Sequence, residues 1–346
     1  MNHRERVLTA LNLGIPDKVP YIELEVDEEM GKKLLNRKEP IYNGLSPLDG
    51  FNPWFCFIGR NYYNPIELCE KLHLDGWGYS FMPQICAEEK EANTSHGKRT
   101  YITEGLIKNK DDLKKIKLAD LKDNSIFEYV NDYINEYRKD YAVFAVTNMG
   151  TDPMLFSLGW ETFSYALVDD ISLIEEILDI YNEWLIEATK KLCELNFDFI
   201  FYADDIAYKN GIMFSPDFYR EICMPRLRKV VNACTKPCIY HTDGDFLEVI
   251  EELLSLGLNG LHPIEPLSVD IFNFKKKYGT RVCTVGNIDI NKLSLGSKEE
   301  VYDEVKHKVK ELSMGGSYIM SSSNTLTLYC NVENVKAMVE AFERFR

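Results

Sequence analysis

His241 and Asp243 stand two residues apart at the end of a short apolar run, in CIYHTDGD at 238–245. On an extended backbone, side chains two apart leave on the same side, so the imidazole and the carboxylate are presented together. That pairing suits two ligands of one metal ion, or a carboxylate that orients an imidazole. The same kind of ending recurs along the chain as Tyr202-Ala203-Asp204-Asp205, His262-Pro263-Ile264-Glu265, Gly286-Asn287-Ile288-Asp289 and Ser321-Ser322-Ser323-Asn324. Any one of these could merely cap a following helix; five in succession point to a shared site. Asp204 and Asp205 are adjacent, so only one of them can face a common axis while the other serves a loop. Among the six histidines, His241 and His262 lie at such endings, whereas His3, His96 and His307 lie in surface-like sequence. Glu221 belongs to SPDFYREICMPRLRKVV, a helix announced by Ser215 as N-cap and Pro216 at its first position. It sits beside the apolar face formed by Phe218, Ile222, Leu227 and Val230, where it is either a ligand or a solvated helical glutamate.

The elements that must position these residues alternate. Apolar runs at 142–147, 197–203, 238–241, 258–264, 281–286 and 317–320 are expected as strands. Helical patterns lie between them at 153–167, 171–195, 215–234, 246–256, 269–278 and 298–313, with 332–345 closing the chain. Strand alternating with helix implies parallel pairing through right-handed crossovers. VPYIEL at 19–24 and one more strand within 75–105 bring the count to about eight, the number a closed (β/α)8 barrel requires. The expected fold is therefore α/β, a (β/α)8 TIM barrel spanning 1–346 as a single domain, with an irregular N-terminal portion from 25 to about 140. No G-x-G-x-x-G follows an early strand, which removes the usual reason to choose an open doubly wound sheet. In such a barrel chemistry sits at the carboxyl ends of the strands, where all five polar endings fall.

Composition narrows the partners. The 346 residues are 45% hydrophobic and 27% charged, an ordinary globular balance. A formal charge of -15 with no dense basic block argues against nucleic acid or an anionic membrane as partner. The N-terminus lacks an apolar signal core, and no apolar run approaches the roughly 18 residues of a membrane span. A cytoplasmic protein is expected, and its nine cysteines are expected as reduced thiols. Cys234 and Cys238 form a close C-x3-C pair, but no second pair follows to complete a structural zinc site.

The order of motifs resembles one family. RERVLTALNLGIPDKVPYIEL, FIFYADDIA followed by SPDFYREICMPRLRKVV, then YHTDGD, GLHPIEP, VGNID and GGSYIMSSSN before VENVKAMVEAF are similar to the uroporphyrinogen decarboxylase superfamily. Within it, they resemble the corrinoid-dependent methyltransferases. The resemblance covers essentially the whole chain and implies a (β/α)8 barrel with a funnel-shaped site. Decarboxylases of the superfamily carry an R-Q-A-G-R stretch after the first strand to hold porphyrinogen carboxylates. IELEVDEEMGKKLL is acidic at that place, so porphyrinogen decarboxylation is not expected.

Coenzyme M methyltransferases of the superfamily hold zinc with His-x-Cys and a distant Cys. His241 matches the histidine, but Asp243 and Asn324 stand where the two thiolates would be. An oxygen-rich site makes zinc a stronger Lewis acid and less suited to a soft thiol acceptor. The methyltransferase components of O-demethylases bind zinc through carboxylates and a histidine, and Asp205, Glu221 and His241 fall near those positions, with Asp243 as a further oxygen ligand. The implied reaction moves a methyl group from a small methoxylated or methylamine-type donor to the Co(I) corrinoid of a partner protein. No D-x-H-x-x-G segment is present to supply a lower cobalt ligand, so the corrinoid is expected on that partner. Asp204, Tyr202 or His262 would handle the proton of the leaving group, as could Asp243. Trp54 and Tyr62 would wall the substrate, with Asn287 and Asn324 binding it. Three alternatives remain: a metal-independent decarboxylase or lyase with Asp204 or Asp205 as polarising acid, transfer from a methylcorrinoid to an acceptor, and a non-catalytic tetrapyrrole-binding barrel.

Overall fold

The apolar runs line up as one parallel sheet in the computed structural model, which describes residues 1–43, 61–94 and 97–346. In chain order the strands are β1 (Gly76–Ser80), β2 (Ala142–Thr147), β3 (Phe199–Ala203), β4 (Cys238–His241), β5 (Gly260–His262), β6 (Cys283–Val285) and β7 (Tyr318–Ile319). Each pairs in parallel with the next, so order in the sheet is order in the sequence. The helices between them supply the crossovers that parallel neighbours need.

Period-two alternation sorts the side chains. Ala142, Phe144, Val146, Phe199, Phe201, Ile239, Cys283, Val285 and Ile319 gather on the concave side of the curled sheet, together with Val7, Ala10 and Leu11 of α1 (His3–Leu11). Residues of the other parity, including Val143, Ala145, Ile200, Tyr202, Cys238 and Tyr240, pack beneath the helices. Both faces are therefore apolar, which explains why these strands read as continuous rather than alternating runs.

The sheet has seven strands among the described residues, one fewer than the sequence suggests. VPYIEL forms no strand, and within it only Tyr21 makes an isolated parallel bridge, to Met320. Its backbone nevertheless ties to both edges. The Ile22 N–H donates to the Met320 carbonyl at 3.1 Å, the Met320 N–H to Pro20 at 2.9 Å, and the Asp75 N–H, just before β1, to Tyr21 at 2.7 Å. Continuation of the ladder is blocked chemically, because the Ser322 N–H donates to the carboxylate of Glu23, at 3.0 Å, instead of to a backbone carbonyl.

Two further differences from the sequence have local causes. The N-terminal portion contains an antiparallel hairpin, Ala87–Thr94 with Gly97–Gly105. The helix expected over 215–234 is broken into Pro216–Phe218, a π-helical turn Tyr219–Cys223, and α4 (Met224–Ala233). Pro225 has no N–H to give the carbonyl of residue 221, so the regular ladder cannot run through that point. Between β2 and β3 lie α2 (Thr151–Asp169), interrupted at Gly159 with φ 72°, and α3 (Ile171–Glu194).

A buried polar knot closes the end of the sheet near α1. Asp75, fully buried, accepts from the Tyr21 N–H at 2.9 Å, Arg6 Nη1 at 2.9 Å and Arg346 Nη1 at 3.1 Å, and pairs with His3 Nδ1 at 2.8 Å. Among the described residues, no helix is long and apolar enough to cross a membrane.

Candidate metal centre

β4 delivers His241. Its alternation puts Ile239 and His241 on the concave side, and its register sets His241 beside His262 of β5 and Ala203 of β3. The two imidazoles meet with Nδ1 to Nδ1 at 2.7 Å. His262 stands edge-on to Phe201, with centroids 5.3 Å apart and planes at 78°.

Past His241 the chain must turn sharply. Gly244 sits at φ 81°, and a Cβ there would lie 2.3 Å from the Tyr208 carbonyl oxygen, so a side chain has no room. The turn brings Asp243 back toward its own strand end. His241 Nε2 is 3.7 Å from Asp205 Oδ1 and 3.7 Å from Asp243 Oδ1, and one ligand atom from each of the three residues lies within 4.8 Å of the others. Backbone and amide donors fix the carboxylates. The Asp243 N–H donates to Asp205 Oδ1 at 2.8 Å, Asn324 Nδ2 to Asp243 Oδ2 at 2.6 Å, and the Gly244 N–H to Glu265 Oε2 at 2.7 Å.

Asp243 Oδ1, the oxygen nearest His241, is buried and accepts no hydrogen bond among the described residues. A buried carboxylate oxygen left bare beside an imidazole nitrogen calls for a cation. One imidazole and two carboxylates form a donor set that fits zinc or another borderline divalent ion. The His241 side chain is 7% exposed against 37% for Asp205 and 30% for Asp243, so the group opens on the carboxylate side.

The surroundings are acidic. Burial pushes Asp243 up to about 6, with Asp205 and Glu265 adding to the rise and His241 opposing it. Asp204 is pushed up to about 7 by burial, although the N–H groups of Asp152 and Thr151 donate to it at 2.7 and 3.1 Å. Asp152, at the start of α2, is driven well above the usual carboxylate range by burial and by the neighbouring Asp204 and Asp205. His262 is driven well below its ordinary value by burial, then by His241.

The expected site residues separate into those the fold gathers and those it does not. Asp205, His241 and Asp243 converge. Asp204 turns the other way and caps the N-terminus of α2. Tyr202, expected to handle a proton, faces the helices because its parity is opposite to that of Phe201, and its hydroxyl lies 3.3 Å from Thr189 Oγ1 of α3. His262 has both nitrogens engaged, Nδ1 by His241 and Nε2 by Ser321 Oγ at 3.1 Å, which leaves none for a substrate. Glu221 is exposed on the π turn, between the buried Tyr219 and Cys223, and lies outside the gathered group. Asn324 holds Asp243. Asn287 is buried, donates to the Ile264 carbonyl and keeps its Oδ1 unbonded. Tyr62 stacks on Tyr42, with centroids 4.7 Å apart, and Trp54 lies outside the described residues.

Two participants went unnoticed in the sequence. Asp152 follows the polar ending of β2, Thr147-Asn148-Met149-Gly150-Thr151, a sixth ending of the same kind. Glu23 is a carboxylate inside an apolar run, 4% exposed, and such a placement is itself a signal. It accepts from Tyr21 OH at 2.7 Å and from Ser322 Oγ at 2.6 Å, with Ser321 Oγ at 3.4 Å.

One solved structure shares this architecture. A methyltransferase from Methanosarcina mazei superposes with a TM-score of 0.72 over 100% of this chain and 99% of its own, at 19% identity. A B12-independent methionine synthase from Shewanella sp. W3-18-1, in complex with selenomethionine, reaches a TM-score of 0.43 at 9% identity, over 74% of this chain and 75% of its own. No curated protein sequence matches. Residues 91–345, which include every strand of the sheet after β1 and Asp205, His241 and Asp243, match the family described as Uroporphyrinogen decarboxylase (URO-D). The chain is therefore a member of the uroporphyrinogen decarboxylase family.

Proposed function

We propose that the chain is a zinc-dependent methyltransferase, in which Asp205, His241 and Asp243 hold the ion and a methyl group passes from a small methoxylated or methylamine-type donor to the Co(I) corrinoid of a partner protein. The observation that carries this is the convergence of one imidazole nitrogen and two carboxylates around a buried, unbonded Asp243 Oδ1. The likeness in fold to a methyltransferase supports the choice of reaction within the family. The same reading takes the chain as a single cytoplasmic barrel domain with Pro20–Ile22 as its eighth stave.

Bound there, the ion supplies Lewis acidity toward the donor's leaving atom. Asn324 keeps Asp243 Oδ2 occupied, so Oδ1 stays turned toward the site. The Asp243 N–H does the same for Asp205. Asp152, whose carboxyl is driven well above the usual range by burial and by the neighbouring Asp204 and Asp205, is the group we assign to return a proton to the departing oxygen or nitrogen. In that reaction the electron pair of the broken bond to the methyl carbon would stay on the leaving atom and be capped by that proton, and the partner's Co(I) corrinoid would supply the pair for the new bond.

The test has two parts. Purified protein should hold roughly one zinc per chain, as a three-ligand site implies, and His241→Ala should lose it while keeping its circular dichroism. Mixing with a reduced corrinoid protein and a panel of methoxylated and methylamine donors should produce the methyl-cobalt absorption spectrum. Protein without zinc, or zinc content indifferent to His241→Ala, would remove the proposal and favour the metal-independent lyase.

A further inference from the structure

Glu23 is a buried carboxylate that the proposed chemistry does not touch. Its two oxygens are nevertheless the end of a hydrogen-bonded line that begins at the candidate metal ligand. His241 Nδ1 meets His262 Nδ1 at 2.7 Å, His262 Nε2 meets Ser321 Oγ at 3.1 Å, and Ser321 Oγ donates to Glu23 Oε2 at 3.4 Å. Resting on the proposal that His241 binds a divalent ion, we infer that Glu23, Ser321 and His262 are positioning residues that fix the tautomer of His241, leaving Nε2 bare for the metal.

The direction of the line follows from donor counting. An ionised carboxylate only accepts, and Glu23 takes the Tyr21 hydroxyl and the Ser322 N–H at Oε1, and the Ser322 and Ser321 hydroxyls at Oε2. Ser321 has one proton, spent on Glu23, so its oxygen must accept from His262 Nε2–H. A neutral His262 protonated at Nε2 is bare at Nδ1 and must accept there. His241 then carries its proton on Nδ1 and presents an unprotonated Nε2, the nitrogen 3.7 Å from both Asp205 and Asp243. A metal-bound histidine is commonly oriented by a partner of its other nitrogen; here the partner is a second neutral imidazole whose polarity is set from farther away. All members are buried: Glu23 is 4%, His241 6%, His262 1% and Ser321 0% exposed, so water cannot substitute for a missing link.

Glu23→Gln reverses the line, because the backbone N–H of Ser322 demands an oxygen at the Oε1 position. The amide NH2 must then occupy the Oε2 position and donate to Ser321, whose proton turns to His262 Nε2, and His241 receives its proton on Nε2. Ser321→Ala cuts the line without reversing it. Tyr21→Phe removes a donor to Glu23 that is not on the line.

The experiment is 15N NMR of the histidine rings in metal-free protein at alkaline pH, where Glu23 is ionised, with zinc affinity measured in parallel by competition with a chromophoric chelator. Wild type and Tyr21→Phe should show His241 as the Nδ1–H tautomer, Glu23→Gln as Nε2–H, and Ser321→Ala as a mixture. Zinc affinity should fall about 10- to 100-fold in Glu23→Gln, the usual loss when a partner of a metal-bound histidine is removed, and stay near wild type in Tyr21→Phe. His241 remaining Nδ1–H in Glu23→Gln, or moving equally in Tyr21→Phe, overturns the inference. If the tautomers behave as expected but wild type takes up no zinc, the metal reading fails and the line of positioning residues stands.

Discussion

Glu23 also makes the stability of the protein depend on pH in a way that one substitution isolates. Burial raises its pKa from an ordinary 4.5 to about 7, against the opposing effect of the hydrogen bonds from Ser322, Tyr21 and Ser321. A raised carboxyl pKa means that the folded chain binds the proton more tightly than the unfolded chain. Its contribution is full below about pH 4.5, declines as pH rises toward about 7, and is constant above that, because the unfolded state binds fewer protons through that window. At about 1.36 kcal/mol per pKa unit, the decline amounts to roughly 3 kcal/mol. Glu23→Gln cannot ionise, so it loses this decline and keeps only a constant cost, of order 1 kcal/mol for each imperfect hydrogen bond. Urea unfolding of both proteins at a series of pH values from about 4.5 to about 8, extrapolated linearly, should show the variant gaining on wild type by roughly 3 kcal/mol across that range. A difference that stays flat would mean that Glu23 titrates like an exposed glutamate, and the burial argument would be wrong. The variant is thus expected to be relatively more stable at neutral pH and poorer at holding zinc.

Other substitutions test other parts of the structure. Asp75→Ala removes the buried carboxylate shared by Arg6, Arg346 and the Tyr21 N–H, leaving Arg6 to Asp17 and Arg346 to Glu343, and should cost about 1.5–3 kcal/mol in urea unfolding, as for the loss of a hydrogen bond to a charged group. Phe201→Ala empties a fully buried place on the concave side between Phe144 and His262. It should cost about 3–5 kcal/mol, read as a lower urea midpoint at unchanged slope. Gly244→Ala forces a methyl group against the Tyr208 carbonyl at φ 81°; strain of about 1–3 kcal/mol should displace Asp243, so that zinc per chain falls while the far-ultraviolet circular dichroism is kept.

Much of this was legible because strands buried on both faces announce themselves. AVFAVT and CIYH are strands at the residues expected, and the polar endings after them lie where a parallel sheet gathers chemistry. What the sequence could not supply was parity at the strand ends. Tyr202 and His241 both belong to an apolar run that ends in polar residues, yet Tyr202 falls on the helix side and His241 on the concave side. Nor could it show that the carboxylate of Glu23 would take the N–H of Ser322 and so keep VPYIEL from becoming a strand. Glu221 depended on helix phase, and the π turn forced by Pro225 changes that phase at that point.

Asp243 and Asn324 show how two positions can change the character of a site together. In the coenzyme M enzymes that the sequence resembles, the corresponding pair is two thiolates; here they form one unit, with the Asn324 amide 2.6 Å from Asp243 Oδ2. The amide nitrogen of Asn324 is spent on Asp243, so Asn324 supports Asp243, which is the ligand in the proposed function. The amide withdraws charge from Oδ2 and leaves Oδ1, which accepts no hydrogen bond among the described residues, as the oxygen aimed at His241 Nε2. Hard oxygen ligands favour an ion that polarises a leaving oxygen or nitrogen over one that delivers a soft thiolate. Asp152, driven well above the usual carboxylate range by burial and by Asp204 and Asp205, would add to the proposed reaction a proton source that thiol methylation does not need. In the proposed function, ligand chemistry and proton supply are separate features of the site, and both suit a methyl donor whose leaving group must be activated.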